Sequence, residues 1–323
     1  MPYLIGMDEA GYGPNLGPLV IGASVWEVLP ATPADSLYDR LEKLISPALP
    51  AADDRRLPMA DSKVLYKAGS GLEVLERSVL CALAASGSSF RKWREIWTTV
   101  VHQGERCERF DSLPWHVDFD SDVPVDAAIE LITAGLQHFE EGLAAAKVRL
   151  LTLSASAVFP QEFNELVLQT DSKGEALSLT TLRLAERLLN LLPEPGSVQI
   201  TCDKHGGRDR YAALLQHVFP DSLLNIRREG RDESVYRITH RGRQIDFHFT
   251  AKGERLLPTA LASMLAKYLR ELAMKPFNGF WQRQIPGLRA TAGYPEDALR
   301  FRGEIAAMQR QLGIADEILW RCR

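Results

Sequence analysis

The sequence predicts an α/β protein whose β-sheet is mixed rather than purely parallel. Short apolar runs at 3–7 and 18–26 indicate buried strands, and 175–192 has the periodicity of an amphipathic helix. Three further segments, with glycines at their turns, predict an antiparallel meander: 223–228, 235–239 and 244–250. Strands that pair as neighbours beside long helical segments are typical of a mixed sheet covered by helices.

The other elements follow from the same patterns. Helical spacing predicts helices over 34–45, 72–85, 126–146 and 259–273, followed by a mostly helical C-terminal portion. Two more strands are predicted at 147–154 and 197–202. The Pro-, Ala- and Asp-rich segment 47–59 predicts a loop, and the acidic segment 111–125 predicts an exposed loop.

The composition is that of an ordinary globular protein. Of 323 residues, 46% are hydrophobic and 25% are charged, which argues against disordered and collagen-like chains. The four cysteines lie far apart without a C-x-x-C pair, which argues against a disulfide framework and a zinc site. The sequence has no apolar window long enough for a transmembrane helix and no secretory signal at its N-terminus. We therefore expect a cytoplasmic protein with no membrane partner.

The charge is unevenly distributed along the chain. The net charge of −4 argues weakly against a nucleic-acid partner. However, residues 1–200 carry 17 Lys+Arg and 28 Asp+Glu, whereas residues 201–323 carry 21 and 14. Much of the acidic excess falls in 103–141, with ten acidic residues and two arginines. The basic second half is compatible with a nucleic-acid substrate, and a solvated surface of uneven charge is the alternative.

The motif that carries the most chemical information spans 6–18. Asp8 and Glu9 come at the end of a predicted buried strand, and a turn rich in glycine and proline follows. In a regular strand the two carboxylates would point to opposite faces, so they converge only if the strand ends or twists there. Carboxylates in this setting suit Mg²⁺ or Mn²⁺. The alternative is a strand end capped by solvated acids.

This motif resembles the N-terminal segment of the type 2 ribonucleases H (ribonuclease HII). In that family a strand leads into D-E-A-G-R-G-P…G-P, and this sequence has D-E-A-G-Y-G-P-N-L-G-P at 8–18. Further matches follow in the same order along the chain: Asp61-Ser62-Lys63, the strand and helix start at 154–164, Asp203 after a strand, L-A-S-M-L-A-K at 261–267, Arg270-Glu271, and Gly293-Tyr294.

The resemblance implies a ribonuclease H-like fold and a metal-dependent endonuclease that cuts RNA within RNA–DNA hybrids. In the family, four carboxylates hold two divalent ions, Mg²⁺ or Mn²⁺. Residue by residue, the resemblance assigns Asp8, Glu9 and Asp203 to three of these positions. The fourth is Glu254 if the spacing differs by one residue, with Asp246 as the reserve candidate.

The resemblance also implies substrate contacts. Lys63 would bind a phosphate, Lys267 would face the backbone of a bound duplex, and Tyr294 would stack on a sugar at the ribonucleotide junction. The loop of Gly11, Tyr12 and Gly13 would approach the 2′-hydroxyl group that distinguishes RNA from DNA. The alternatives are solvated lysines and an ordinary packed tyrosine.

The sequence departs from the family in several places, among them an acidic loop in a longer region before Lys147 and an arginine-rich meander between Asp203 and Glu254. Tyr12 replaces the arginine of G-R-G, and the stretch after Tyr294 lacks the family's threonine and histidine. Two other functions therefore stay open: a catalytically weak or inactive nucleic-acid-binding module, and a nuclease on another structured nucleic acid. We predict a catalytic domain over 1–275, with an acidic insertion around 90–146, and a helical extension over 276–323.

Overall fold

The computed structural model describes residues 2–29, 32–49, 51, 54–67, 69–101, 107–193 and 196–322. Seven strands form the main sheet: β1 (Tyr3–Ala10), β2 (Leu19–Glu27), β3 (Arg149–Val158), β4 (Val198–Asp203), β5 (Leu223–Arg228), β6 (Glu233–His240) and β7 (Arg243–Thr250). Their order across the sheet is β3-β2-β1-β4-β7-β6-β5.

The sheet is mixed, as predicted. The central strands β1, β4 and β7 run parallel to one another, and β2 runs antiparallel to both β1 and β3. The predicted meander is confirmed, since β6 pairs antiparallel with both β5 and β7. The parallel centre brings the ends of β1 and β4 to the same edge of the sheet.

Seven helices of seven or more residues are found in the described part of the chain: α1 (Glu73–Ala85), α2 (Ile129–Ala146), α3 (Pro160–Thr170), α4 (Lys173–Leu191), α5 (Ala212–Val218), α6 (Leu257–Gln284) and α7 (Pro295–Gln311). Shorter helical turns lie at Leu37–Arg40, Ser62–Leu65, Trp93–Ile96, Trp97–Val101, Glu108–Asp111 and Asp316–Leu319, with 3₁₀ turns at Ala34–Ser36 and Gly253–Arg255. No helix in the described ranges is long and apolar enough to span a membrane.

The predicted helix over 34–45 is wrong. The chain makes only a 3₁₀ turn and the short helix Leu37–Arg40 before Ile45–Ser46 pairs with Leu57–Pro58 as a two-stranded parallel sheet. Pro47 favours the extended conformation of Ser46 in this short strand, because the residue before a proline is pushed out of the helical region.

Helix α6 is longer than the prediction of 259–273. It continues through Pro276, where a proline would be expected to end a helix. Phe277 and Trp281 on the following turns are buried in an apolar cluster with α7. That packing offsets the hydrogen bond that the proline removes. The helix also runs through the predicted domain boundary at residue 275.

Each face of the sheet has its own core. Alternate residues of β1 divide between them, with Leu4 packing beneath α6 and α1, and Tyr3, Ile5 and Met7 packing against α4. Strands buried on both faces need apolar side chains at every position, which explains the unbroken apolar run at the start of the chain.

Helix α6 packs very close to β1. A Cβ atom on Gly6 would lie 2.0 Å from the backbone carbon of Pro258, so only glycine permits this approach. Ser24 on β2 donates a hydrogen bond to the same carbonyl group, at 2.7 Å. These contacts fix the first turns of α6 above the point where β1 reaches Asp8.

The segment 111–125, predicted to be exposed, is largely anchored to the core. Leu113, Trp115 and Val123 are buried, while Asp118, Asp120 and Asp122 are exposed. The apolar side chains spaced between the acidic residues could have predicted this burial, but the net acidity of the segment obscured them.

Glu76 on α1 holds the end of this segment. Its buried carboxylate accepts hydrogen bonds from the backbone N–H groups of Val125, Asp126 and Ala127, at 2.6–2.9 Å. It also accepts one from the Tyr268 hydroxyl of α6, at 2.9 Å. One carboxylate thus joins α1, the end of this segment and α6.

The glycine-rich loop between β1 and β2 is held by distant parts of the chain. Asn15 N–H donates to the Gly293 carbonyl at 2.8 Å, and Arg321 N–H donates to the Asn15 carbonyl at 3.0 Å. Leu16 forms an isolated β-bridge with Trp320. The C-terminal segment therefore forms part of the support for this loop.

Candidate active site

Two of the predicted carboxylates lie side by side on the central strands. The register pairs Met7 of β1 with Cys202 of β4, so the next residues along the two parallel strands are Asp8 and Asp203. Adjacent strands lie about 4.8 Å apart. The strand pairing alone therefore places these acids next to each other at one edge of the sheet.

Glu9 lies on the other face of β1. The strand continues through Ala10 instead of ending before Asp8, so the side-chain alternation still holds at both acids. Asp8 pairs with Gly22, which lies beneath Ala262 of α6, whereas Glu9 pairs with Ile21 in the core on the α4 face. The charge of Glu9 nevertheless interacts with the charges of Asp8 and Asp203.

Glu254 lies close to Asp203. The turn Gly253–Arg255 follows β7, and the Gly253 N–H donates to Asp203 Oδ1 at 2.9 Å. The reserve candidate Asp246 lies elsewhere. It pairs with Gln199, four residues before Asp203 on β4, and both of its oxygens accept hydrogen bonds from Arg237 at 2.6 and 2.7 Å. Glu254 is therefore the better candidate for a fourth carboxylate.

Burial and mutual repulsion make these acids poor at holding negative charge. Burial, and then the neighbouring charge of Asp203, raise the pKa of Asp8 to about 7. Burial, together with the charges of Asp8 and Asp203, raises the pKa of Glu9 well above its usual range. Burial and the charge of Asp203 also raise the pKa of Glu254. A cation placed among them would relieve this repulsion.

Lys63 is a cation of the chain that already acts on this cluster. Its charge lowers the pKa values of Asp8, Glu9 and Glu254, opposing the larger effect of burial. The neighbouring Ser62 shares a 3.0 Å hydrogen bond with Ser263 of α6, and Ser263 hydrogen-bonds to the Asp8 side chain. The segments 61–63 and 261–267, which the resemblance singled out, thus meet at Asp8.

The residues fit a divalent cation in chemistry and charge. Carboxylate oxygens are the ligands that Mg²⁺ and Mn²⁺ prefer, and this cluster has more negative charge than Lys63 can neutralise. Among the described residues, however, no group of three His, Cys, Asp or Glu side chains has the spacing to hold a metal ion. The position of Glu9 on the opposite face of β1 is consistent with that finding.

A groove of about 690 Å³ opens beside Glu9. It runs between the glycine-rich loop, the turn after Asp61, α6 and the loop before α7. All six residues that the resemblance assigns to substrate binding line it: Gly11, Tyr12, Gly13, Lys63, Lys267 and Tyr294. Tyr294 is 55% exposed, as a stacking platform would need to be.

Lys267 is engaged within the groove. Its Nζ atom lies 2.5 Å from Glu271 Oε1 and 4.6 Å from the centre of the Tyr66 ring. Sequence reasoning assigned no role to Glu271 or Tyr66. The signal for Glu271 was its position one helical turn beyond Lys267, on the same face of α6. A phosphate would have to compete with Glu271 for this lysine.

Arg270 fixes two walls of the groove. Its Nη2 atom donates to the carbonyl groups of Leu16, at 3.2 Å, and Ala292, at 2.9 Å. Gly11 lies directly against it, with a φ of +90°, and a Cβ atom there would lie 2.8 Å from Arg270 Nε. The glycine is therefore needed both for its backbone conformation and for this close approach.

Tyr12 faces the loop after Asp203. A Cβ atom on Gly206 would lie 3.3 Å from the Tyr12 hydroxyl oxygen. Burial and the charge of Glu9 raise the pKa of this hydroxyl, while Arg208 lowers it. The tyrosine thus bridges between the glycine-rich loop and the segment that follows β4.

The observed architecture has the features of the predicted fold class. It has a mixed seven-stranded sheet, helices on both faces, and acids at the adjoining ends of β1 and β4. The fold is ribonuclease H-like. The prediction made from the ordered motifs is confirmed at the level of fold.

Solved structures of ribonucleases H are similar to the chain over almost its whole length. Ribonuclease H2 of Pyrococcus horikoshii OT3 is 18% identical, with 98% of this chain and 92% of that chain covered and a TM-score of 0.45. Ribonuclease HII of Archaeoglobus fulgidus, in a complex with PCNA, is 16% identical over 99% and 94%, with a TM-score of 0.44. Bst-RNase HIII in complex with Mn²⁺ is 14% identical over 99% and 66%, with a TM-score of 0.40.

No family model matches the sequence, and no curated protein matches it.

The raised pKa of Asp8 predicts how the stability of this ribonuclease H-like protein depends on pH. The folded value of about 7 exceeds the ordinary value of 3.8, so the folded state retains a proton that the unfolded state has lost. The resulting stabilisation is present at low pH and is lost as the pH rises from about 4 through 7. In EDTA, the free energy of unfolding, measured with urea, should fall over this interval. The fall should be smaller in Asp8→Asn, and equal slopes in the two proteins would contradict the prediction.

Proposed function

We propose that this protein is a metal-dependent endonuclease that hydrolyses the RNA strand of RNA–DNA hybrids. The observation that carries the proposal is the pairing of Asp8 with Asp203 on adjacent strands, both coupled electrostatically to Glu9 and with Glu254 beside Asp203. Buried carboxylates that repel one another destabilise the fold unless a cation neutralises them. Their retention at a sheet edge beside an open groove favours a functional reason over a structural one.

The four carboxylates are the proposed ligands of two divalent ions, Mg²⁺ or Mn²⁺. Such a pair of ions supplies Lewis-acid activation of water and neutralises charge on the leaving oxygen. Ser263 and the backbone N–H of Glu9 hold the Asp8 carboxylate, the second at 2.8 Å. The Gly253 N–H holds Asp203 in the same way. These hydrogen bonds orient both acids before any ion binds.

The groove supports a nucleic-acid substrate. Lys63 lies at its acidic end, where it would bind a phosphate group of the strand being cut. The backbones of Gly11 and Gly13 are within the groove wall and would approach the sugar, and Tyr294 would stack on it at the far side. Tyr12 faces Gly206, so we expect reading of the 2′-hydroxyl group to rest on the glycine backbones.

A second function is favoured by one specific observation. Glu9 lies on the opposite face of β1 from Asp8, and no metal-holding group of three ligands is present in the part of the chain that the structure describes. A nucleic-acid-binding module with weak or no catalysis would have such an arrangement. A nuclease on another structured nucleic acid, such as a branched junction, is the remaining alternative.

Cleavage assays separate these functions. The full chain is incubated with Mn²⁺ and either an RNA–DNA hybrid, a duplex with one embedded ribonucleotide, or a branched DNA junction. We expect cleavage of the hybrid, and loss of about 10²-fold or more in Glu254→Gln, a loss typical of groups that stabilise developing charge. Asp246→Asn is the matched control and should cleave normally, because Asp246 pairs with Arg237 away from the site.

The outcomes are distinct. Binding of the hybrid without Mn²⁺-dependent cleavage would replace the enzyme by the binding module. Cleavage of the junction alone would keep the nuclease and change its substrate. Loss of activity in Asp246→Asn with full activity in Glu254→Gln would reverse the assignment of the fourth carboxylate.

A further inference from the structure

A second cavity, of about 380 Å³, borders the glycine-rich loop at Asn15 and shares no lining residue with the groove. It is enclosed by Asn15 of the loop, the first turns of α7 and the C-terminal segment that includes Trp320 and Arg321. None of the acids of the candidate active site lines it. Its volume is in the range of small-molecule sites in proteins.

Arg321, on the wall of this cavity, is an unusual buried cation. Its side chain is 3% exposed, and its Nη2 atom donates to the Pro14 carbonyl. Its Nε and Nη1 atoms have no hydrogen-bond partner within the described residues, and no salt bridge to a carboxylate is found for it there. The ring of Phe163, 5.0 Å away, is its other close partner. Buried charges are ordinarily paired, but the described residues offer this guanidinium no anion.

The neighbouring groups are also donors and cations. Trp320 Nε1 is buried and has no hydrogen-bond partner among the residues that the structure describes. The Arg302 guanidinium lies 5.2 Å from the Trp320 ring and shares its charge with the exposed Asp316, at 3.2 Å. Arg270 adds further positive potential at Arg321. Unpaired donors without a matching acceptor are complementary to an oxyanion.

The opposite wall is apolar. Pro295, Ala298 and Leu299 of α7 line it together with Trp320, and the Leu299 side chain is 64% exposed. An apolar wall facing buried donors suits a ligand with a flat organic part and a charged end. A nucleotide has this chemistry, with a base or sugar to contact the wall and a phosphate to meet the arginine.

We propose that this cavity is a nucleotide site, in which Arg321 and Trp320 bind the phosphate and the first turns of α7 contact the base or sugar. The Nε and Nη1 atoms of Arg321 are buried in the cavity wall. The guanidinium therefore moves a short way towards the cavity when it binds the phosphate. The site takes either a free nucleoside monophosphate or one nucleotide of a bound strand. It is separate from the proposed catalytic centre, and its occupancy needs no divalent ion.

The test is calorimetric titration of the full chain with adenosine monophosphate in EDTA. We expect saturable binding, weakened at least about tenfold in Arg321→Met, the loss expected for a hydrogen bond to a charged group. Because Arg321 is buried, a second variant on the exposed wall is needed. Leu299→Glu places a carboxylate opposite the phosphate and should abolish binding, whereas Leu299→Asn and the exposed Arg227→Met should bind normally.

The outcomes decide the proposal. Absence of binding, or normal binding in a folded Leu299→Glu protein, would overturn it, and equal affinity for inorganic phosphate would overturn the nucleotide assignment. A short 5′-phosphorylated oligonucleotide identifies the source. If the oligonucleotide binds and its binding depends on Arg321, the site takes one nucleotide of a bound strand. If the oligonucleotide does not bind, the site takes the free nucleotide. Since EDTA removes any ion-dependent activity, these results do not depend on whether the cleavage proposal holds.

Discussion

We expect replacement of Asp8 by Asn to lower the proposed cleavage activity and at the same time to raise the melting temperature in the absence of divalent ions. The loss of activity should be about 10³-fold or more, since a group that stabilises charge in the transition state is removed. The gain in stability follows because the Asp8 carboxylate is buried beside Asp203 and carries its charge at a cost at pH 8. An asparagine has the same shape without that charge, and its oxygen can still accept the Glu9 N–H.

Both effects are measured on one preparation. Calorimetry at pH 8 in EDTA gives the melting temperature, and cleavage of an RNA–DNA hybrid in Mn²⁺ gives the rate. Asp122→Asn is the matched control, because Asp122 is exposed and pairs with Lys92 at the surface. It should change neither quantity. Full activity in Asp8→Asn would refute the role of the carboxylate, and a lower melting temperature would refute the electrostatic cost.

The second large effect concerns the fold. Replacement of Glu76 by Ala should lower the free energy of unfolding by about 3–5 kcal/mol. It leaves three backbone N–H groups, those of Val125, Asp126 and Ala127, without their acceptor. It also removes the partner of the Tyr268 hydroxyl. Urea unfolding followed by circular dichroism measures the change.

Glu73→Ala is the control for this variant. Glu73 lies one turn earlier on the same helix and is exposed, so its loss should change the free energy by less than about 0.5 kcal/mol. Tyr268→Phe should lower it by about 1 kcal/mol, the value of one hydrogen bond. Equal stabilities of Glu76→Ala and Glu73→Ala would show that the segment 111–127 is held by its apolar residues alone.

Local sequence patterns were sufficient for most of the sheet. The meander was predicted almost residue by residue, because alternating residues and glycine turns are local signals. The ends of elements were less predictable. Strand β1 extends to Ala10 because its last residues pair with β2, and α6 passes Pro276 because Phe277 and Trp281 are buried beyond it. Both extensions depend on tertiary contacts that no local pattern contains.

For the candidate site, the sequence predicted which residues lie near one another better than it predicted their arrangement. Ordered motifs brought Asp8, Asp203 and Lys63 to one place, and the structure adds why: strand register and the close approach of α6 through Gly6. The position of Glu9 on the other face depends on where β1 ends, which the glycine turn had left open. The ion pair of Lys267 with Glu271 and the hydrogen bonds of Arg270 to Leu16 and Ala292 could not be predicted, because they depend on how the folded helix packs.

The support of the glycine-rich loop has a consequence for biosynthesis. Pro14 and Asn15 leave the ribosome long before Arg321, 307 positions beyond Pro14, yet the carbonyl groups of both accept hydrogen bonds from it. Contacts of such separation form late, after the intervening chain has ordered. During translation the sheet can assemble with this loop still open on one side. A nascent chain would therefore carry its acids in place well before the wall beside them is closed, so the groove takes its final shape only when synthesis has passed Arg321.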